Sequence, residues 1–198
     1  MAAVPSTMLP LGTPAPSFSL PDAVTGRIFT LDSFRDARAL VVMFICNHCP
    51  FVQHVRHEIA RVARDYSPRG VAFVAINSND VEKYPDDAPP KMKQEALEAG
   101  YSFPYLFDES QSVAKAYRAA CTPDFYVFDG QRRLVYRGQL DDSRPPGRST
   151  TPVPVTGRDL RAALDALLAG RPVPADQKPS IGCNIKWKPG NEPDYYRL

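Results

Sequence analysis

The feature that most constrains this chain is a junction. An unbroken apolar run, Ala39 to Ile45, ends directly on Cys46-Asn47-His48-Cys49. From Phe51 onward apolar residues recur at helical spacing (Phe51, Val52, Val55, Ile59, Val62, Ala63, Tyr66), with Gln53, Arg56, His57, Arg61 and Arg64 opposite. A run rich in β-branched residues without polar alternation predicts a strand covered on both faces, and the pattern after it predicts an amphipathic helix. Pro68 and Gly70 stop that helix, and Val71 to Ile76 is a second apolar strand, so the segment reads as a right-handed βαβ crossover in a parallel sheet. The cysteines therefore fall where a buried strand ends and a helix begins, and unsatisfied N–H groups and the macrodipole at a helix start favour an anion. This placement predicts Cys46 as a thiolate nucleophile and Cys49, one turn later, as the thiol that resolves a mixed disulfide. Asn47 and His48 are read as tuning residues, since a protonated His48 would place positive charge beside the Cys46 thiolate.

The remaining segments predict one α/β domain over residues 12–170, preceded by an extended lead-in (1–11) and followed by an irregular, packed tail (171–198). Phe18 to Leu20 and Arg27 to Thr30 flank the turn-like Asp22 to Gly26 and suggest a hairpin at the edge of the main sheet. Lys91 to Ala99 reads as a helix, Tyr105 to Phe107 as a short strand, and Gln111 to Ala120 as a helix capped by Asp108 or Ser110. Phe125 to Phe128 and Leu134 to Gln139 form a hairpin around Asp129-Gly130, and Thr156 with Asp159 suggests a capping box before a helix ending near Ala169.

Charge and cysteine usage narrow the function. Lys plus Arg number 24 against 22 Asp plus Glu, which leaves no electrostatic footprint for nucleic acid or anionic lipid. No apolar run reaches the length of a membrane span and the first residues lack a secretory pattern, so a cytoplasmic protein is expected. Four cysteines are too few for a disulfide scaffold, and a C-x-x-C inside a cell points to redox or metal chemistry. The metal reading uses Cys46, Cys49 and one or more of His48, His54 and His57, but no second ligand pair at fixed spacing accompanies them. Asp141, Asp142 and Arg144 read as a solvated loop.

Cys121-Thr122-Pro123 precedes the second hairpin by one residue. A strand, C-x-x-C and helix followed about seventy residues later by Thr-Pro resembles the thioredoxin superfamily. The segments Phe44 to Val52, Asp141 to Arg144, Pro154 to Gly157 and Ser180 to Lys188 resemble an uncharacterised bacterial group of its peroxiredoxin-like (AhpC/TSA) branch. The resemblance implies a three-layer α/β/α fold with a central mixed sheet, an N-terminal hairpin extension and an inserted helix. It further implies a cis peptide bond before Pro123, with Thr122 and Pro123 facing the dithiol and binding substrate. The activity so implied is thiol–disulfide exchange on a protein or small-molecule disulfide, recycled by a cellular thiol reductant, without an organic cofactor, by a monomer or homodimer.

Two departures qualify the transfer. Peroxiredoxins carry P-x-x-x-T-x-x-C, and alignment on Cys49 puts Val42 and Cys46 at the Pro and Thr positions. Thioredoxins carry a buried acid six residues before the first cysteine, where this chain has Leu40. A thiol peroxidase is thus the alternative enzyme. Cys121 and Cys183 are possible accessory thiols: Cys183 is either passive beneath a docked Trp187, or paired with Cys121, or able to attack Cys46.

Overall fold

The computed structural model describes residues 3–148 and 152–196. Elements are numbered in chain order. The apolar run forms β4 (Ala39–Phe44), every residue of which is buried. On one side β5 (Val71–Asn77) pairs with it in parallel, and β6 (Tyr105–Phe107) continues in parallel beyond β5. On the other side β8 (Asp124–Asp129) is antiparallel and leads by a hairpin to β9 (Leu134–Gly138). The sheet is therefore mixed, in the order β6-β5-β4-β8-β9.

Alternation along β4 divides the core in two. Ala39, Val41, Met43 and the following Ile45 pack against α1 (Pro50–Tyr66), α2 (Pro89–Ala99) and α4 (Arg158–Leu168). Leu40, Val42 and Phe44 pack against α3 (Ser112–Ala116), the hairpin of β2 (Ser19–Pro21) and β3 (Ile28–Thr30), and the tail residues Ile185 and Trp187. A one-residue slip of β4 would exchange these two sets, so packing on both faces fixes where the strand ends and where the dithiol begins. The three layers and mixed sheet match the expected architecture. Among the described residues, no helix is long and apolar enough to cross a membrane.

Four local expectations change. The first hairpin forms its own two-stranded sheet and meets the main one through Asp22, whose carboxylate accepts the Tyr105 N–H at 2.9 Å. α3 is shorter than predicted because residues at both ends, Gln111 (φ 63°) before it and Arg118 (φ 50°) after it, adopt left-handed conformations. The Thr156–Asp159 capping box does not form. Instead Gly157 precedes α4 with φ 66°, and the amides of Thr156 and Gly157 both donate to Asp141 Oδ2 at 2.7 Å. Asp141 is accordingly buried, not solvated.

The largest correction concerns the chain ends. The tail is not irregular throughout: β10 (Ile181–Asn184) lies antiparallel between β1 (Ala3–Pro5), within the expected lead-in, and β7 (Cys121–Thr122). Ile-Gly-Cys-Asn has little intrinsic strand preference, and its partners are far away in sequence, so this pairing comes from tertiary context.

Candidate functional site

Strand pairing continues one residue past β4, through the Ile45 N–H to Ile76 C=O bond at 3.1 Å, and delivers Cys46 to the carboxyl end of the sheet centre. Pro50 opens α1, where its missing N–H costs nothing, and Cys49 is the residue immediately before the helix. The helix start therefore serves Cys49, not Cys46 as the sequence suggested. Both sulfurs are buried and both are held on Thr122: Cys46 Sγ lies 3.3 Å from Thr122 Oγ1, and Cys49 Sγ lies 3.2 Å from the Thr122 carbonyl oxygen.

Their proton affinities diverge. Burial, then the adjacent Cys49 and the Asp87 charge, push the Cys46 thiol well up. Burial acts on Cys49 in the same sense, but hydrogen bonds from Cys183, Cys46 and Thr122, together with the Val52 amide of the first helical turn, outweigh it and hold Cys49 far below an ordinary thiol. The two thiols are coupled, and of the two Cys49 has the lower proton affinity.

Asp87, in the 3-10 turn Pro85–Asp87 after β5, was not singled out from the sequence, yet it organises the segment between the cysteines. It is fully buried. Oδ1 accepts the backbone N–H groups of Asn47 (2.8 Å) and His48 (3.2 Å), while Oδ2 accepts Asn79 Nδ2 (2.8 Å) and pairs with His48 Nδ1 at 2.5 Å. With Nδ1 committed to the carboxylate, Nε2 of His48 is left buried and without a partner among the described residues. The His48 ring stacks on Tyr84 at 5.1 Å between centroids. Asn47 is held by the Tyr105 hydroxyl (3.0 Å) and by its own bond to the Asp86 carbonyl (2.8 Å). The only sequence signal for Asp87 was an acid in a turn stiffened by Pro85, Pro89 and Pro90.

Thr122-Pro123 is a cis peptide bond, as the resemblance implied, and it lies directly against the two sulfurs.

A model of the AhpC/TSA family matches residues 11–137. The chain belongs to the AhpC/TSA family. It is similar in structure to an uncharacterized conserved protein from Geobacillus kaustophilus, with 62% identity, a TM-score of 0.92, and coverage of 96% of this chain and 98% of that one. A hypothetical protein from Sinorhizobium meliloti 1021 shows 54% identity and a TM-score of 0.89, with 94% and 99% covered. The thioredoxin domain of a thiol-disulfide oxidoreductase from Bacteroides vulgatus shares 16% identity at a TM-score of 0.57, over 68% of this chain and 91% of that one, which shows a thioredoxin-like fold. A search of curated proteins finds no match.

Within this AhpC/TSA protein the two accessory cysteines separate. In the small sheet Cys183 stands opposite Thr122, and Asn184 opposite Cys121. Because side chains alternate along a strand, Cys183 shares the face of Thr122 and the dithiol, whereas Cys121 points the other way and cannot bond to Cys183. Trp187 does not cover Cys183 either: it packs with Tyr195 on the other side of the main sheet. The residues once considered for a metal also separate. His57 is exposed, and His54 lines a groove with Phe51 and Pro123. A sulfur, a ring nitrogen and a carboxylate oxygen of Cys46, His48 and Asp87 do lie within 4.8 Å of one another, but Asp87 is already saturated by four donors and serves as a cradle. A cavity of about 710 Å³ lined by Arg118, Asn184, Trp187 and Tyr195 touches neither Cys46 nor Cys49.

Asp124 follows the cis proline and pairs with Phe44, on the face away from α1. Complete burial pushes its carboxyl up to about 7 despite the Tyr126 hydroxyl at 2.9 Å. An unfolded aspartate titrates near 3.9, so the folded protein binds this proton more tightly. Stability from that proton is full below about pH 3.9 and is lost as pH rises toward 7. Asp124→Asn, which keeps an acceptor for Tyr126, is expected to gain about 2–4 kcal/mol over wild type between pH 4 and pH 8 in urea unfolding. Parallel pH profiles for the two proteins would disprove the assignment.

Proposed function

We propose that this AhpC/TSA protein is a thiol–disulfide oxidoreductase that uses Cys46 and Cys49 as its redox couple. The observation that carries the reading is two buried thiols at a strand-to-helix junction, both seated on one residue, Thr122. Cys46 adjoins His48, the partly accessible side of the pair. It attacks one sulfur of a substrate disulfide, the disulfide breaks, and the first substrate thiolate leaves. The Cys46 proton is lost to solvent base on the side of His48, whose ring Asp87 orients through Nδ1. The Cys49 thiolate then attacks Cys46 Sγ, forms the Cys46–Cys49 bond and expels the second substrate thiolate. The substrate gains two electrons, the dithiol loses two, and an external thiol reductant restores it.

Equilibration in graded glutathione buffers, with acid trapping and mass mapping, tests this. A reversible Cys46–Cys49 couple is expected between about −270 and −120 mV, the range spanned by dithiol proteins of this kind. If the two cysteines never pair, the reading falls. Membership of the family favours a second reading as a thiol peroxidase. Val42 and Cys46 stand where such enzymes carry Pro and Thr, so peroxide consumption is expected to be slower than disulfide exchange.

A further inference from the structure

Three sulfurs, not two, converge on Thr122. Cys46 meets its hydroxyl, Cys49 meets its carbonyl, and Cys183 stands opposite it across the β7–β10 ladder. Cys46, Cys49 and Cys183 are all buried in the core on the α1 side of the sheet, so the three thiols share one face of the Thr122 strand. β10 can come this close because residue 182 is glycine: a Cβ there would lie 2.0 Å from the Thr122 carbonyl oxygen. The neighbouring Cys49 and burial hold the Cys183 thiol well up, and the ammonium of the buried Lys186, held by Asn184 at 2.8 and 2.9 Å, works against them.

We propose that Cys183 is a third redox thiol that exchanges with the oxidised dithiol. The inference rests on the Cys46–Cys49 couple proposed above. In the step, Cys183 gives up its proton and attacks Cys49 Sγ, the Cys49–Cys183 bond forms, the Cys46–Cys49 bond breaks, and Cys46 leaves as a thiolate that takes up a proton in place of the one Cys183 lost. No net oxidation occurs. The oxidised protein is thus a pair of disulfide isomers, one of which has its attacking thiol free while the oxidation is held on the C-terminal strand. Cys121 takes no part, since it faces away.

The test oxidises three proteins with oxidised glutathione, quenches in acid, alkylates free thiols and maps disulfides by mass without reduction. Wild type is expected to yield both Cys46–Cys49 and Cys49–Cys183 species, Cys46→Ser only Cys49–Cys183, and Cys183→Ser only Cys46–Cys49. Suppose instead that Cys46→Ser keeps Cys49 and Cys183 free in a buffer that fully pairs Cys46 with Cys49 in Cys183→Ser. The third-thiol proposal then fails and the dithiol reading survives. Failure of Cys183→Ser to form Cys46–Cys49 removes the dithiol reading itself. Should Cys46→Ser not fold, as judged by near-ultraviolet circular dichroism, the wild-type map decides: an oxidised pool in which Cys46 is never alkylated overturns the proposal.

Discussion

Cys46→Ser is expected to remove fast disulfide-reductase turnover, leaving only slow exchange through Cys49 and Cys183, and Cys49→Ser to arrest the protein as a covalent adduct with its substrate on Cys46. The second effect follows from the arithmetic of proximity. Well-oriented intramolecular groups reach effective molarities of about 10⁵ M or more, whereas a reductant in solution is present at about 1 mM. Even a modestly placed Cys49 therefore outpaces solution thiols by at least about a thousandfold. Turnover of a fluorescent disulfide peptide, with intact-mass measurement of the trapped species, reads both variants. The assignment of roles is the part at stake, because the structure gives the low proton affinity to Cys49 and the position beside His48 to Cys46. A trapped adduct on Cys49 in the Cys46→Ser protein would reverse the roles.

Asp87→Ala is expected to produce the largest loss of stability. The substitution leaves two backbone N–H groups, the Asn79 amide and His48 Nδ1 without their acceptor in a region closed to water. Removing one partner of such a buried set typically costs about 3–5 kcal/mol, which for a chain of this length lowers the melting temperature by about 10 °C. Asp87→Asn restores two acceptor bonds but sets an NH₂ against the other donors, so it should fall between wild type and Ala. It should also move the pH dependence of Cys46 alkylation, because His48 loses its orienting carboxylate. A melting temperature within about 2 °C of wild type for the alanine variant would contradict the cradle.

These two cases mark where the sequence could be read. The β4–dithiol–α1 junction was legible because both signals are local: a strand covered on both faces must be apolar throughout, and an amphipathic helix must repeat every 3.6 residues. The Thr122-Pro123 element was legible through its resemblance and its place before a hairpin. Asp87 was not, since the acid was sought at position 40, where a thioredoxin would carry it, and a buried leucine is found there. The carboxylate reaches the site from a turn nearly forty residues after the dithiol, and a loop acid carries no periodicity that distinguishes cradle from solvent. β10 was missed for a related reason. Its glycine lowers strand propensity, yet the close approach to Thr122 requires a glycine there. The shift of the stabilised thiolate from Cys46 to Cys49 came from a boundary: the helix begins at Pro50, and a few residues decide which sulfur it serves.

The β1–β10–β7 sheet has a consequence for how the protein is made. Cys46 and Cys49 emerge from the ribosome long before Ile181–Asn184, and the N-terminal strand Ala3–Pro5 waits longer still for β10, with which it pairs. Until that last strand arrives β7, which carries Thr122, has no strand on that edge, so the surroundings of the dithiol are completed late in synthesis. The seat of the two sulfurs is thus closed by residues from both ends of the chain, and a truncation before residue 181 removes the strand that joins them.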